Sequence, residues 1–192
     1  MNPDKPLRDG RRFKNPWPGI EQHGFADVLR WTFERRGKTS VSRREVQQLA
    51  SVPSNVVAPR VDPDTLTATW VGHTTVLLQL GGLNILTDPV WSQRASPLSF
   101  AGPKRFSAPG IAFDELPIID AVIISHDHYD HLDSATVSRL TARFPAAAWR
   151  VPVGVGSFVR ARGANDVEEL TWNESSEFEG VRFTCVPAQH FS

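Results

Sequence analysis

Apolar residues recur along this chain in two periods, and the change from one to the other divides it. From Phe25 to Arg36 the positions Phe25, Val28, Leu29, Trp31, Thr32 and Phe33 approximate one face of a helix. Ser42-Arg43-Arg44-Glu45 has the form of a capping box opening a short helix to Ala50. Pro53 to Pro63 is proline-spaced and reads as a linker. Beyond it the period drops to two. Leu66, Ala68 and Trp70 alternate with other residues over Thr65 to Val71. Thr75 to Leu80 and Leu83 to Thr87 read as two further strands, joined by the hairpin signal Gly81-Gly82. Ala121 to Ile124 is a short apolar run with the β-branched content of a strand buried on both faces. Asp133 stands as the N-cap of a helix to about Phe144, with Val137, Leu140 and Phe144 on its buried side. Ala148 to Pro152, Val167 to Leu170 and Val181 to Pro187 read as strands, and Val153 to Arg162 as a short helix ended by Gly163.

Two stretches lack either period. Residues 1–24 hold four of the fifteen prolines and much basic charge, and read as an extended arm in which Trp17, between Pro16 and Pro18, pins the arm to the domain. Val90 to Pro117 is a long connection rich in Pro, Ser and Gly, of the kind that forms a pocket wall beside a site.

Composition changes this picture little. The 192 residues are 40% hydrophobic and 22% charged, enough for one domain with a core. The formal net charge is zero, which gives no reason to expect a nucleic-acid partner. A single Cys excludes an internal disulfide framework and fits a reducing compartment. Met1 to Lys14 has no apolar core of a secretory signal, and no run approaches the ~20 apolar residues of a spanning helix. The expected location is cytoplasmic or peripheral to a membrane, since the aromatic face from Phe25, flanked by Arg30, Arg35 and Arg36, suits a lipid surface as well as a core.

Candidate chemistry concentrates after the run at Ala121. His126, Asp127, His128, Asp130 and His131 put five ionisable groups within six positions, which no core accepts without partners. Three of the chain's six His residues fall here. Imidazole and carboxylate are ligands that zinc prefers. His126 and His128 lie two apart, so in extended backbone they point the same way and can grip one ion. Asp130 and His131 follow a turn and suit a second. His190, at the end of the last strand, repeats the arrangement and is the third ligand expected for the first ion. His73, in the turn Gly72-His73-Thr74, is open between a hydrogen-bonded turn residue and a partner of the site. Asp88 ends the hairpin's far strand, where a second partner for a metal-bound His would stand. Lys104 and Arg105 are open between phosphate contacts and solvated loop charges.

The pattern His-x-His-x-Asp-His resembles the signature of the metallo-β-lactamase fold superfamily. Asn15-Pro16-Trp17-Pro18, Thr69-Trp70-Val71-Gly72-His73-Thr74, Leu86-Thr87-Asp88-Pro89, Gly102-Pro103-Lys104-Arg105-Phe106 and Pro187-Ala188-Gln189-His190 narrow the likeness. Together they resemble the N-acyl phosphatidylethanolamine-hydrolysing phospholipase D branch and its bacterial relatives. The resemblance implies an α/β (α+β) fold, a four-layer αβ/βα sandwich of which residues 65–192 are about the first half and 1–64 an N-terminal extension. It implies two zinc ions, the first on His126, His128 and His190, the second on Asp130 and His131, with Asp130 also catalytic. It implies a phosphodiesterase releasing N-acylethanolamine from a phospholipid, with Tyr129, Lys104 and Arg105 as substrate contacts. Two alternatives stand beside it, a hydrolase of another bond such as a lactone or ester, and a non-catalytic fragment. The family's second half brings a bridging Asp and a further His, so a chain ending at Ser192 is expected to be incomplete, to bare the inner face of its sheet, and to lack a competent pair of metals.

Overall fold

The computed structural model describes residues 59–96, 100 and 102–188, with 7–9, 12–14, 27, 30, 33 and 34. His190, Trp17, the capping box at Ser42 and most of Pro53–Pro63 lie outside the described residues. The chain divides into two compact units, Met1–Ala50 with Ala188–Ser192, and Ser51–Pro187. In the first, β1 (Leu7–Asp9) and β2 (Arg12–Lys14) pair antiparallel, Leu7 opposite Lys14. Within the expected extended arm, these residues are thus a strand pair. Asp27, Arg30, Phe33 and Glu34 are helical, as the period at Phe25 requires, and Arg30 bonds Glu34 one turn on at 3.0 Å. Among the described residues no helix is long and apolar enough to cross a membrane.

The second unit is built on six strands in the order β3-β4-β5-β6-β7-β8. β3 (Thr67–Gly72), β4 (Thr75–Leu80) and β5 (Leu83–Thr87) run antiparallel. Gly81 and Gly82 have φ of 61° and 75°, as the tight hairpin between β4 and β5 demands. From β5 on the sheet is parallel, through β6 (Ala121–Ile123), β7 (Ala148–Pro152) and β8 (Asp166–Leu170). Each parallel step needs a crossover. α1 (Ser134–Arg143) carries the one from β6 to β7, and α2 (Gly156–Arg160) the next. Asp133 caps α1 as expected, accepting from the Ala135 N–H at 3.1 Å.

The core lies between one sheet face and these helices. Leu77, Leu86, Val122 and Trp149 meet Val137 and Leu140 of α1, Phe144 just after it, and Val159 of α2. The connection after β5, expected as a loop, is half core. Trp91, Ile111, Phe113 and Leu116 are buried in it, and the Trp91 indole donates to the Ile111 carbonyl at 3.0 Å. These residues carry no local period, so only tertiary packing reveals them. Their burial, at ~1.5–3 kcal/mol per large side chain, holds the connection against α1.

On the opposite face the last strand departs from expectation. β10 (Val181–Thr184) does not join the main sheet but pairs with β9 (Ser175–Phe178) as a separate hairpin. Glu179 and Gly180, with φ of 49° and 81°, make its turn. β9 is polar in sequence, which concealed it. Phe183 is buried against Leu83, Ile85, Ala121 and Ala148, so part of the face expected to be bare is covered. The buried Arg150 fastens this hairpin, donating to Ser176 Oγ at 2.8 Å and to Asp166 at 3.2 Å. Leu66, Trp70 and Leu80, around β3 and β4, remain exposed.

Candidate metal centre

Three chain turns meet where β5 and β6 end. The first is Asp88, directly after β5, whose backbone takes φ of 37° and whose N–H reaches the Ile123 carbonyl at 2.9 Å. Thr75 fixes this kink, donating to the Asp88 carbonyl at 2.7 Å while accepting from the Val90 N–H at 3.1 Å. The second is the turn after β3. The pairing of β3 with β4 slips between Trp70 and Gly72, and His73 follows with φ of 52°. A bulge of this kind re-aims the side chain that follows it. The third is the His-rich segment, which leaves β6 in extended form and then folds into a turn, the N–H groups of His131 and Leu132 bonding the His128 carbonyl at 2.9 and 2.7 Å.

Asp88 is the buried anchor of this corner. Its carboxylate accepts from the Ser125 N–H and from Ser125 Oγ, both at 2.7 Å, and lies 2.9 Å from His131 Nδ1. An ionised carboxylate only accepts, so His131 carries its proton on Nδ1 and keeps an Nε2 lone pair free. Ser125 does the same for His126. Its hydroxyl proton goes to Asp88, so its oxygen accepts from His126 Nδ1 at 2.9 Å. His126 Nε2 then faces His128 Nδ1 at 3.0 Å. The His126 ring packs within 3.9 Å of the His131 ring, centroid to centroid.

The remaining donor atoms close on the same spot. Asp130 Oδ2 lies 2.9 Å from His73 Nε2 and 3.8 Å from His131 Nε2. Ligand atoms of His73, Asp130 and His131 all fall within 4.8 Å of one another. Burial by itself raises the Asp130 pKa, but the His73 hydrogen bond and the charges of His131 and His73 outweigh it and hold the carboxyl below its ordinary range. Two ligands of a tetrahedral zinc at 2.0–2.1 Å stand about 3.3–3.4 Å apart. The observed 2.9–3.8 Å brackets that figure, and an imidazole with an unprotonated Nε2, as at His131, is the form that binds metal. The residues present therefore fit a divalent metal of zinc's kind.

Sequence reasoning placed His126, His128, Asp130, His131 and Asp88 at one corner, and the structure brings them together there. His73 lies beside them, its Nε2 2.9 Å from Asp130 Oδ2 and within reach of the same point. Tyr129 is exposed on the turn between His128 and Asp130. Lys104 is exposed and bridges Arg94 through the backbone. Arg105 faces its own loop, donating to the carbonyls of Val90 at 2.5 Å and Ser92 at 3.4 Å, and burial lowers its pKa more than Asp133 raises it. Ser125 went unread, although its place between an apolar strand and the first His was a signal.

Known proteins match this chain over the same region. It is 39% identical to an N-acyl-phosphatidylethanolamine-hydrolyzing phospholipase D of Caenorhabditis elegans, over 97% of this chain and 56% of that one. An uncharacterised protein of Mycobacterium tuberculosis is 42% identical over 79% of this chain and 42% of its own length. A metal-dependent hydrolase of Methanopyrus kandleri is 30% identical, over 65% and 47%. The chain spans about half the length of the curated relatives it matches. The beta-lactamase superfamily domain matches residues 83–192, more than half the chain, with Asp88 and the His-rich segment from His126 to His131 inside it. By that match, and by the mixed sheet with its helices, the chain belongs to the beta-lactamase superfamily and has the metallo-β-lactamase-type αβ/βα fold.

Proposed function

We propose that this protein is a zinc-dependent hydrolase, a phosphodiesterase of phospholipase D type that releases N-acylethanolamine from N-acyl phosphatidylethanolamine. The observation that carries the hydrolase reading is the convergence of His126 Nε2 on His128 Nδ1, and of Asp130 on His131 Nε2, with both His tautomers set from behind by Asp88 and Ser125. The substrate reading rests on the likeness to the nematode enzyme. His126 and His128, with His190, would hold one zinc, and Asp130 and His131 the other. Zinc bound there supplies a Lewis acid for phosphoryl oxygens and makes water a stronger acid near neutral pH.

The chain's own groups do the rest. Asp130, ionised across the neutral range, helps orient the attacking water. His73 keeps Asp130 in place through their shared hydrogen bond. Asp88 and Ser125 hold the two imidazoles against rotation, so that their lone pairs stay aimed. Tyr129 and Lys104 would meet the lipid head group, and Arg105 holds its loop through the Val90 carbonyl. Hydrolysis on the alcohol side of phosphorus leaves the phosphate on the lipid. The substrate and its products suit a protein working in the cytoplasm against a membrane surface.

The test is product analysis with zinc-loaded and chelator-stripped protein. N-acyl phosphatidylethanolamine, a simple phosphodiester and a lactone are offered in parallel. The proposal expects zinc-dependent release of N-acylethanolamine. Lactone or ester turnover without any phosphodiester turnover would replace it with the other hydrolase reading.

A further inference from the structure

We propose that Trp70 is a positioning residue for this site: its indole N–H, by holding the carbonyl of His73, fixes the turn that brings the His73 imidazole to Asp130. Trp70 Nε1 lies 2.9 Å from His73 O, three residues on, and His73 Nε2 lies 2.9 Å from Asp130 Oδ2, 57 residues further. The two bonds run through one residue, from its carbonyl to its ring. His73 is not a glycine yet has φ of 52°, a left-handed conformation that is strained for a residue with a side chain. Such a conformation persists only where its surroundings over-determine it.

Those surroundings can be named. The slip in pairing between Trp70 and Gly72 sets the indole of one residue over the backbone of the turn. Gly72, with φ of 149°, supplies the bend that no side chain would permit. The Gly110 N–H holds the Val71 carbonyl at 2.6 Å, and Thr87 Oγ1 holds the Thr74 carbonyl at 3.1 Å. Carbonyls on either side of His73 are therefore held by other parts of the fold, and the His73 carbonyl itself by Trp70.

Stability of this chain does not account for the residue. Trp70 is 68% exposed on β3, opposite Val76, so its ring buries little surface. A large apolar side chain left in water at this place has its indole N–H as its specific contact with the site.

The metal arm of the test rests on the function proposed above, and the contact arm does not. Residues 1–192 are prepared with Trp70→Phe, which removes the donor, and with the Trp70 indole replaced by its benzothiophene isostere, which keeps shape and loses only the N–H. In metal-free protein the His73–Asp130 contact is read by nuclear Overhauser effects between the imidazole and the Asp130 β-protons. Backbone amide protection is read across β3 and β4, and cobalt(II) chloride affinity is titrated separately. The expected result is loss of the His73–Asp130 effect in both variants, with melting within ~2 °C of the parent, as for an exposed position. Cobalt should then bind about 3–10-fold more weakly, the scale of one hydrogen bond. Retention of the contact in both variants overturns the proposal. So does its loss only together with protection throughout β3 and β4, which marks a merely structural role. If no version binds cobalt while the variants alone lose the contact, the positioning role stands and the metal reading falls.

Discussion

The two ends of the six-stranded sheet both carry buried polar side chains, and they use them differently. At the end where β5 and β6 begin, Asp120 accepts two bonds from Arg60, at 2.5 and 2.6 Å, and one from the Asn84 N–H at 2.8 Å. Asn84 donates to the carbonyls of Pro59 and Ile118 and accepts from Gln79 at 2.9 Å. The hydrogen bond to Asp120 is the main reason the Arg60 pKa is raised, against the lowering by burial. Donors and acceptors match, and each bond is made to another part of the same cluster. At the end where β5 and β6 finish, Asp88 and Ser125 are also satisfied, but they serve to turn the Nε2 atoms of His126 and His131 away from themselves and toward His128 and Asp130. Ring nitrogens and carboxylate oxygens this close are held together by shared protons, as between His126 and His128 or His73 and Asp130, and a cation can take the place of those protons. Amount of polarity does not separate a structural cluster from a ligand set. What separates them is whether the hydrogen bonds close or leave acceptors converging on a common point.

Mutations at the two ends should separate stability from metal affinity. The largest effect is expected from Asn84→Ala, which removes a fully buried side chain that donates to the carbonyls of Pro59 and Ile118 and accepts from Gln79. About 2–4 kcal/mol of stability should go, a fall in melting temperature of roughly 5–15 °C. Metal affinity measured well below that temperature should be unchanged. Asp88→Asn reverses the balance. The isostere places an amide before His131 Nδ1 or Ser125 Oγ, so metal affinity should fall by ~10–100-fold with a smaller stability loss. Calorimetric titration beside a melting curve reads both. An Asp88 variant that binds metal normally would make the two ends alike.

The smallest effect sharpens the comparison at its turns. The structural end has Gly81-Gly82 where φ is positive, whereas the metal end has His73 in the same backbone region. His73→Gly should relieve left-handed strain and leave the melting point level or raise it by a few degrees. The bond to Asp130 would be lost with it. A clear fall in stability would show that the His73 ring contributes more to the fold than its strain costs.

Much of this arrangement was legible in sequence where the signal was local. β4, β5 and β7 match their expected limits, Asp133 caps α1, and the Gly-Gly hairpin is where its residues require. The corner's His and Asp residues were legible because ionisable groups directly after a buried strand have few other uses. Non-local features were not. Trp91 and Phe113 enter the core without a period, and β9 is a polar strand defined by its partner. Asp133 is more than a cap. It also accepts from Ser92 N and Oγ at 2.9 and 2.8 Å, a link across 41 residues that no spacing announces. The linker read from Pro53 to Pro63 is likewise anchored, since Pro59 and Arg60 bond to Asn84 and Asp120. Ser125 was passed over because a serine beside three histidines looks like filler until its hydroxyl is seen to connect two of them to Asp88.

The most direct test is to locate the ion. Crystals of residues 1–192 grown with zinc, measured on both sides of the zinc absorption edge, give an anomalous difference map that needs no assumption about activity. We expect peaks within about 2.0–2.2 Å of His126 Nε2 and His128 Nδ1, or of Asp130 and His131 Nε2. The Asp88–Ser125 hydrogen bonds should be kept behind them. Zinc bound elsewhere while the His-rich corner keeps its internal hydrogen bonds would contradict the account.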